Sequence, residues 1–403
     1  MSLWKTKTVP VDGFCKDGFT GILDSFKKNF SEGWEAEGAA FAVYKDGELV
    51  VDIWGGYAEK KYGRRWNQDT LTTVFSTSKS IAAICFSMLV ESGACAYEDA
   101  VSRYWPAYAQ KGKEDTTIAQ IMAHQSGVPC LAKTLDLETL LDPVRLDIIL
   151  EEEATRFPPG SKTAYQPFTY GWLVDGLFRR IDRKQRSVQQ FYDQEIRDRH
   201  HIDMYIGGTQ AEEHRIARLK QFTTPSMIRE CGFDMSVARN GISCMRPGSF
   251  FMNGLRNMEL FGKDFTMFNN PDLRLLGQPA VNGVATARGL AKVHQVFLEG
   301  HLIGPQLFER FKTPSNPDRL DETLGEVLNK GYGWMYWRGP KGNWQFGHSG
   351  VGGQNVRIDA QHGLVYAYVC NGLKAGSGNH CFTFRRLEKK LFDCIDEAAG
   401  RKV

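Results

Sequence analysis

Leu71-Thr-Thr-Val-Phe75-Ser76-Thr-Ser-Lys79-Ser80, running on as Ile81-Ala-Ala-Ile-Cys85-Phe-Ser-Met-Leu-Val-Glu91-Ser92, is the stretch whose reading decides the fold. A β-leaning run, Thr72 to Phe75, stops where an apolar run of helical length begins. Ser76 stands at that junction and Lys79 follows three residues later. Positions three apart share one face of a helix, so the hydroxyl and the amine can meet. After Lys79 the segment is apolar nearly all round (Ile81, Ile84, Cys85, Met88, Leu89), the pattern of a buried helix. A lysine at the edge of such a helix is partly desolvated, which disfavours its ammonium form and frees the amine to act as a base. The helix start also presents unpaired N–H groups to a developing oxyanion. These are the parts of a serine nucleophile paired with a lysine base.

The bare spacing is not selective. Ser-x-x-Lys also occurs at Ser2–Lys5, in the N-terminal tail, and at Ser25–Lys28, which reads as a solvated helix face. Only the strand-then-buried-helix setting distinguishes Ser76.

Around that stretch the chain is ordinary for a soluble globular protein. It has 403 residues, 24% charged and 12% aromatic, enough for a large core in two lobes. A net charge of +3 argues against a nucleic-acid or membrane partner. No apolar run reaches membrane-spanning length. The N-terminus, Met-Ser-Leu-Trp-Lys-Thr-Lys-Thr-Val-Pro, lacks the apolar core of a secretion signal. The nine cysteines have irregular spacings and form no Cys-x-x-Cys pair, so they read as reduced thiols of a cytoplasmic protein.

In order along the chain, Phe19–Phe30 is an amphipathic helix candidate. Ala39–Tyr44 and Leu49–Trp54 flank Asp46-Gly47, a hairpin signal. Residues from about Leu71 to Leu219 read as mainly helical, with breaks at Pro129, Pro143 and Pro158-Pro159-Gly160. Arg179–His201, rich in both charge signs, reads as solvated helix surface. Phe222–Leu276 has little periodicity and suggests irregular helical packing, with cleft-covering loops as the other reading. Val284–Leu302 returns to helix. Strands are expected at Tyr332–Trp337, Asn343–Gly347, Gln354–Asp359 and Leu364–Cys370, then a closing helix over Phe384–Ala399 with Gly400 as its C-cap. The expected fold class is therefore α+β: one antiparallel sheet flanked by the N- and C-terminal helices, with a large, mainly helical insertion. The expected organisation is a single catalytic domain, with an α/β lobe over about 1–70 and 277–403 and a helical lobe over about 71–276. Ser76 then lies at the lobe junction, where pockets form.

Two further stretches can carry chemistry. In Pro158-Pro-Gly160-Ser-Lys-Thr-Ala-Tyr165-Gln-Pro167, Tyr165 follows a tight turn. A tyrosine beside a lysine can shuttle protons if that charge lowers its pKa; the alternative is a packed aromatic. In Trp344-Gln-Phe-Gly347-His348-Ser349-Gly350-Val351-Gly-Gly353, at the end of a strand, the glycines allow close backbone approach to a ligand. The N–H of Val351 is a candidate second oxyanion donor. His348 is a candidate cation or hydrogen-bond donor for a carboxylate, against the plain reading of a turn histidine. His124-Gln-Ser-Gly127 reads as a structural turn. His200, His201 and His214 lack a third ligand at a convincing spacing, so no metal is expected. A Gly-x-Ser-x-Gly elbow is absent, since Gly347-His-Ser349-Gly-Val351 has Val at its last position.

Taken together these stretches resemble the serine β-lactamase-like family: class C β-lactamases, DD-peptidases and related esterases. The similarity runs over nearly the whole chain. His124-Gln-Ser-Gly127 is similar to the family's His-Thr-Ser-Gly turn, and Asn282-Gly-Val-Ala-Thr-Ala-Arg288-Gly-Leu-Ala291 to its late helix. Gly347-His-Ser-Gly350 resembles the Lys-Thr-Gly strand, in the His form found among esterase-like and animal members. The resemblance implies that Ser76 is the acylated nucleophile, Lys79 its proton partner and Tyr165 a general base, with the N–H groups of Ser76 and Val351 as the oxyanion hole. His348, Ser349 and Gly350 would line the substrate side.

Two departures matter. Pro167 stands where the family's Tyr-x-Asn motif has its amide, and His348 replaces the strand lysine. Both weaken β-lactam or peptide recognition and leave the ester-cleaving parts in place. The expected activity is a cofactor-free serine hydrolase acting through an acyl-enzyme on a small ester or amide, in a protein that can form homo-oligomers. The alternative is an inactive relative serving as a scaffold or self-assembling unit through Phe222–Leu276. Substrate identity, oligomeric state and the choice between Lys79 and Tyr165 as base stay open at this level.

Overall fold

The Asp46-Gly47 turn adopts the left-handed backbone that a two-residue hairpin needs, with φ of +49° and +86°. It is described, with residues 9–400 except 209 and 263, in a computed structural model of the chain. The Ser2–Lys5 pair lies outside the described residues.

The strands among those residues are β1 (Val11–Cys15), β2 (Gly38–Lys45), β3 (Glu48–Glu59), β4 (Arg64–Arg65), β5 (Thr72–Thr73), β6 (Met204–Ile206), β7 (Gly283–Ala285), β8 (Asn316–Leu320), β9 (Val327–Gly331), β10 (Trp334–Arg338), β11 (Trp344–Ser349), β12 (Asn355–Asp359) and β13 (Leu364–Cys370). Ten of them form one antiparallel sheet in the order β1-β3-β2-β13-β12-β11-β10-β9-β8, with β4 added on β3. Strands from the two ends of the sequence meet at β2–β13, where Ala39 faces Cys370 and Lys45 faces Leu364.

The centre of this sheet is buried on both sides, and period-2 alternation assigns the side chains to faces. Phe41, Val43, Val51, Ile53, Tyr366 and Tyr368 pack against Ile22, Phe26 and Phe30 of the helix Thr20–Ser31, and against Phe384, Leu387 and Leu391 of the helix Phe382–Ala398. Ala40, Ala42 and Ala367 point the other way into the main core, with Leu290, Val293 and Phe297 of the helix Ala287–Leu298. Small residues on that face let the helix approach the sheet closely. The fold is thus the expected mixture of helices and an antiparallel sheet.

Several elements differ from the sequence expectation. β1 and β8 are edge strands with mostly exposed side chains, so no buried face imposes an alternating pattern on them. β8 even contains Pro317, which an edge strand tolerates. Val284 lies in β7 rather than in a helix; the helix starts only after Thr286, whose hydroxyl caps it by accepting from the Gly289 N–H at 2.9 Å. β5, β7 and β6 form a separate small sheet that delivers the chain to Ser76.

The Phe222–Leu276 stretch is a set of short capped helices, chiefly Thr224–Phe233, Met235–Met245 and Phe250–Arg256. Their apolar side chains are partly exposed, among them Ile228, Met235 and Ile242, which blurs the pattern. Among the described residues, no helix is long and apolar enough to cross a membrane. All nine cysteines are free thiols.

Candidate active site

Ser76 is reached through a deliberate bend. Val74 donates to the Gly283 carbonyl at 2.8 Å, fastening the chain to β7. Phe75 then takes φ +48°, a left-handed conformation that costs a residue with Cβ about 1–2 kcal/mol. Its ring is wedged edge-on against Phe265 and Phe268, at centroid distances of 5.9 and 5.4 Å. The Ser78 hydroxyl completes the bend, donating to the Phe75 carbonyl at 2.5 Å and accepting from the Gly283 N–H at 2.8 Å. Ser76 therefore sits in a single 3-10 turn, Phe75–Thr77, leading into the helix Ser78–Glu91. That helix is buried nearly all round, as its composition foretold.

The Lys79 side chain is fully buried at the start of this helix. Its Nζ lies 3.2 Å from Ser76 Oγ, 3.0 Å from the Pro167 carbonyl and 3.1 Å from the Ala280 carbonyl. Burial pushes the amine well below the ordinary lysine range. A neutral amine has two hydrogens and one lone pair. The two carbonyls can only accept, so they take the hydrogens, and the lone pair is left for the Ser76 hydroxyl.

Tyr165 is buried beside them, its ring centroid 5.0 Å from Lys79 Nζ. Burial pushes its phenol up, and the nearby Ser76 hydroxyl offsets this only in part. That corrects the expectation of a tyrosine whose pKa is lowered by a neighbouring ammonium: burial pushes the phenol up and the Lys79 amine down. The segment around Tyr165 is clamped from three sides. Its N–H donates to both Asp321 oxygens, at 2.9 and 3.1 Å. The Ala164 N–H donates to the His124 carbonyl at 3.0 Å, and the Gln166 N–H to His124 Nδ1 at 3.2 Å. His124 is thus a structural turn residue, its ring 4.8 Å from that of Tyr165.

The end of β11 forms the remaining wall. A Cβ on Gly350 would come within 2.4 Å of the Val74 carbonyl, so only glycine permits this approach. The contact brings Val351, the next residue, to the turn that carries Ser76. Ser349 is half-buried on the same strand end. His348 is buried, with its ring 6.2 Å from that of Tyr165. Its Nδ1 lies 2.6 Å from the Ser349 carbonyl, which can only accept, so Nδ1 carries the hydrogen. Burial, with Lys79 nearby, lowers its pKa to about 3. The expected cation or donor for a carboxylate is accordingly a neutral ring whose single N–H is already engaged.

The structure therefore gathers Ser76, Lys79, Tyr165, His348, Ser349, Gly350 and Val351 into one place. It also supplies partners that the sequence did not mark: the Ala280 and Pro167 carbonyls, Asp321, and the Phe265–Phe268 wedge. A Cβ placed on Gly254, on the helix Phe250–Arg256, would reach within 3.7 Å of the Pro167 ring, so the Phe222–Leu276 segment runs beside the site there as well as at the Phe265–Phe268 wedge. Among the described residues no group of three or more His, Cys, Asp or Glu side chains is placed to hold a metal ion.

A family model described as Beta-lactamase matches residues 26–389. The chain belongs to the β-lactamase family. A curated member of similar sequence, the esterase/beta-lactamase LipL of Mycobacterium tuberculosis, is 30% identical over 378 residues, covering 90% of this chain and 83% of LipL. Among solved structures, a penicillin-binding protein homolog from Caulobacter crescentus superposes with a TM-score of 0.79 at 28% identity, covering 96% of this chain and 100% of its own. A family VIII carboxylesterase superposes with a TM-score of 0.80 at 26% identity, with the same coverage. This β-lactamase-family chain is a serine hydrolase.

Proposed function

We propose that the protein hydrolyses small esters through an acyl-enzyme on Ser76. One observation carries this reading: Lys79 Nζ faces the Ser76 hydroxyl at 3.2 Å while two backbone carbonyls occupy the other directions around the amine. A lone pair aimed at a hydroxyl is what a general base requires. In the proposed sequence Ser76 Oγ attacks the ester carbonyl and its proton passes to Lys79. The N–H groups of Ser76 and Val351 receive the oxyanion. The phenol of Tyr165, its ring 5.0 Å from Lys79 Nζ and its pKa raised by burial, relays a proton to the leaving alcohol. Water then cleaves the acyl-enzyme by the reverse proton path. Pro167 in place of a side-chain amide and neutral His348 in place of a cation support an ester over a β-lactam or a peptide carboxylate.

A fluorophosphonate probe tests the reading. Peptide mapping is expected to place the adduct on Ser76; labelling that persists in Ser76→Ala, or that falls on another serine, would refute it.

The pH dependence follows from the amine. Activity requires neutral Lys79, whose pKa is lowered in the folded protein. The rate is therefore retained above that lowered pKa and lost as pH falls through it. Lys79→Arg keeps a cation that does not deprotonate, so kcat/KM is expected to drop roughly 10²- to 10⁴-fold, with no recovery up to pH 10. A pH–rate profile of both proteins decides: recovery of the Arg variant at high pH would remove Lys79 as the base.

A further inference from the structure

His380 spends both of its ring nitrogens on acids. Nδ1 lies 2.9 Å from Asp234 and Nε2 lies 3.1 Å from Glu326. An ionised carboxylate only accepts hydrogen bonds, so the two bonds together need two ring hydrogens. A neutral imidazole has one and can hold one acid at a time. The imidazolium holds both, and it is the form that this geometry fits.

The two acids belong to different parts of the fold. Asp234 joins the helices Thr224–Phe233 and Met235–Met245, and it caps the second by accepting from the Ser236 N–H at 2.9 Å. Glu326 closes the turn 321–326 between β8 and β9, its carbonyl accepting from the Asp321 N–H at 2.8 Å. The Asp321 carboxylate in turn holds the Tyr165 N–H. His380 itself stands just before the helix Phe382–Ala398. One ring therefore fastens the 222–276 segment and the turn behind Tyr165 to the C-terminal helix.

Other charges do not duplicate this link. Arg385, on the C-terminal helix, approaches Asp234 at 3.7 Å, and Glu230 accepts from the Gly376 N–H at 2.9 Å. Lys28 of the helix Thr20–Ser31 and Arg338 at the end of β10 line, with His380, a cavity of about 870 Å³. Burial first, and Glu326 second, push the Cys244 thiol up to about 12, so it brings no charge. Among the described residues no cation but His380 pairs with Glu326.

We propose that His380 is a positioning residue: as an imidazolium it rivets the 222–276 segment to the turn that anchors Tyr165, and loss of one ring hydrogen to water releases one acid and slackens that anchor. The role rests on the acyl-enzyme reading above, and His380 touches no substrate in it. Glu326 and Asp234 hold the ring's pKa above the ordinary histidine value. The rivet is therefore complete below the ordinary value and is lost as pH rises through the raised one. Turnover then steps down on the alkaline side, apart from the acid limb set by Lys79.

A pH–rate profile on p-nitrophenyl acetate, corrected for the uncatalysed rate, tests this beside an NMR titration of the His380 ring. Wild-type kcat is expected to fall about tenfold to a plateau as the ring titrates, with KM changing less than about twofold. His380→Arg keeps a cation with several donors that does not titrate, and is expected to hold kcat level through that range. Glu326→Gln removes one acid and is expected to move the step to lower pH by about one unit. A wild-type kcat that stays flat while the ring titrates overturns the role, as does a step that persists in His380→Arg or a ring that titrates below the ordinary histidine value. If His380→Arg fails to fold, Glu326→Gln decides, and an unmoved step overturns the role. Absence of acyl-Ser76 at every pH would remove the acyl-enzyme reading and this role with it; acylation without the step removes only the role of His380.

Discussion

Ser76→Ala is expected to abolish the acyl-enzyme and to lower kcat on an activated ester by at least about 10⁴-fold, the scale seen when a serine hydrolase loses its nucleophile. The fold should survive, because the hydroxyl does not hold the bend. That is done by the Val74 N–H on Gly283, by Ser78 on Phe75 and by the Phe265–Phe268 wedge. Lys79 keeps both of its carbonyl partners in the variant. Loss of turnover with an unchanged melting temperature is thus the expected pair of results, read by initial rates on p-nitrophenyl acetate and by calorimetry. A variant retaining more than about a hundredth of the wild-type kcat would mean that another group is acylated.

The second large effect is expected at Asp321, which no sequence motif flags. Its carboxylate is fully buried. It accepts from the Tyr165 N–H at 2.9 and 3.1 Å, the Thr323 N–H at 3.0 Å and the Leu324 N–H at 2.9 Å, and it pairs with the buried Lys330. Asp321→Ala leaves an ammonium and three amides without their acceptor. Breaking one side of a buried pair costs about 3–5 kcal/mol, so the urea midpoint should fall sharply. Activity should fall further than unfolding explains, by roughly 10²-fold, because the Tyr165 segment loses its anchor and a shift of about 1 Å suffices for that. Adding Lys330→Met removes the stranded charge and is expected to restore part of the stability while kcat stays low. Recovery of both together would show that Asp321 acts only through the ion pair and does not position Tyr165.

The legible parts of this chain are those whose signal is local. The all-round apolar pattern after Lys79 gave a buried helix. Asp46-Gly47 gave a hairpin, and the alternating late segments gave β10 to β13 to within a few residues. The residues gathered around Ser76 were reachable because each lies in a short segment with its own turn or strand-end signature. What escaped the sequence depends on partners far away in it. Asp321 lies 156 positions from the amide it holds, and the Ala280 carbonyl 201 positions from Lys79; a backbone carbonyl carries no side-chain signature. The charge states of Tyr165 and His348 escaped for a related reason. Spacing places two groups side by side, whereas the degree of burial decides which of them is ionised. β1 and β8 stayed hidden because an exposed edge strand has no buried face to write into its sequence.

The pairing of β2 with β13 governs how the polypeptide is made as well as what it becomes. Ala39 cannot meet Cys370 until nearly all of the chain has left the ribosome. Until then β2 and β3 form a hairpin with an open hydrogen-bonding edge and two greasy faces, a species prone to sticking to its neighbours. Closing so long a loop is slow, and the nascent protein has to wait for about its last tenth, from Leu364 on, before the central seam can zip. Synthesis that stalls before Leu364 therefore yields a fragment for chaperones and proteases, not a smaller working hydrolase.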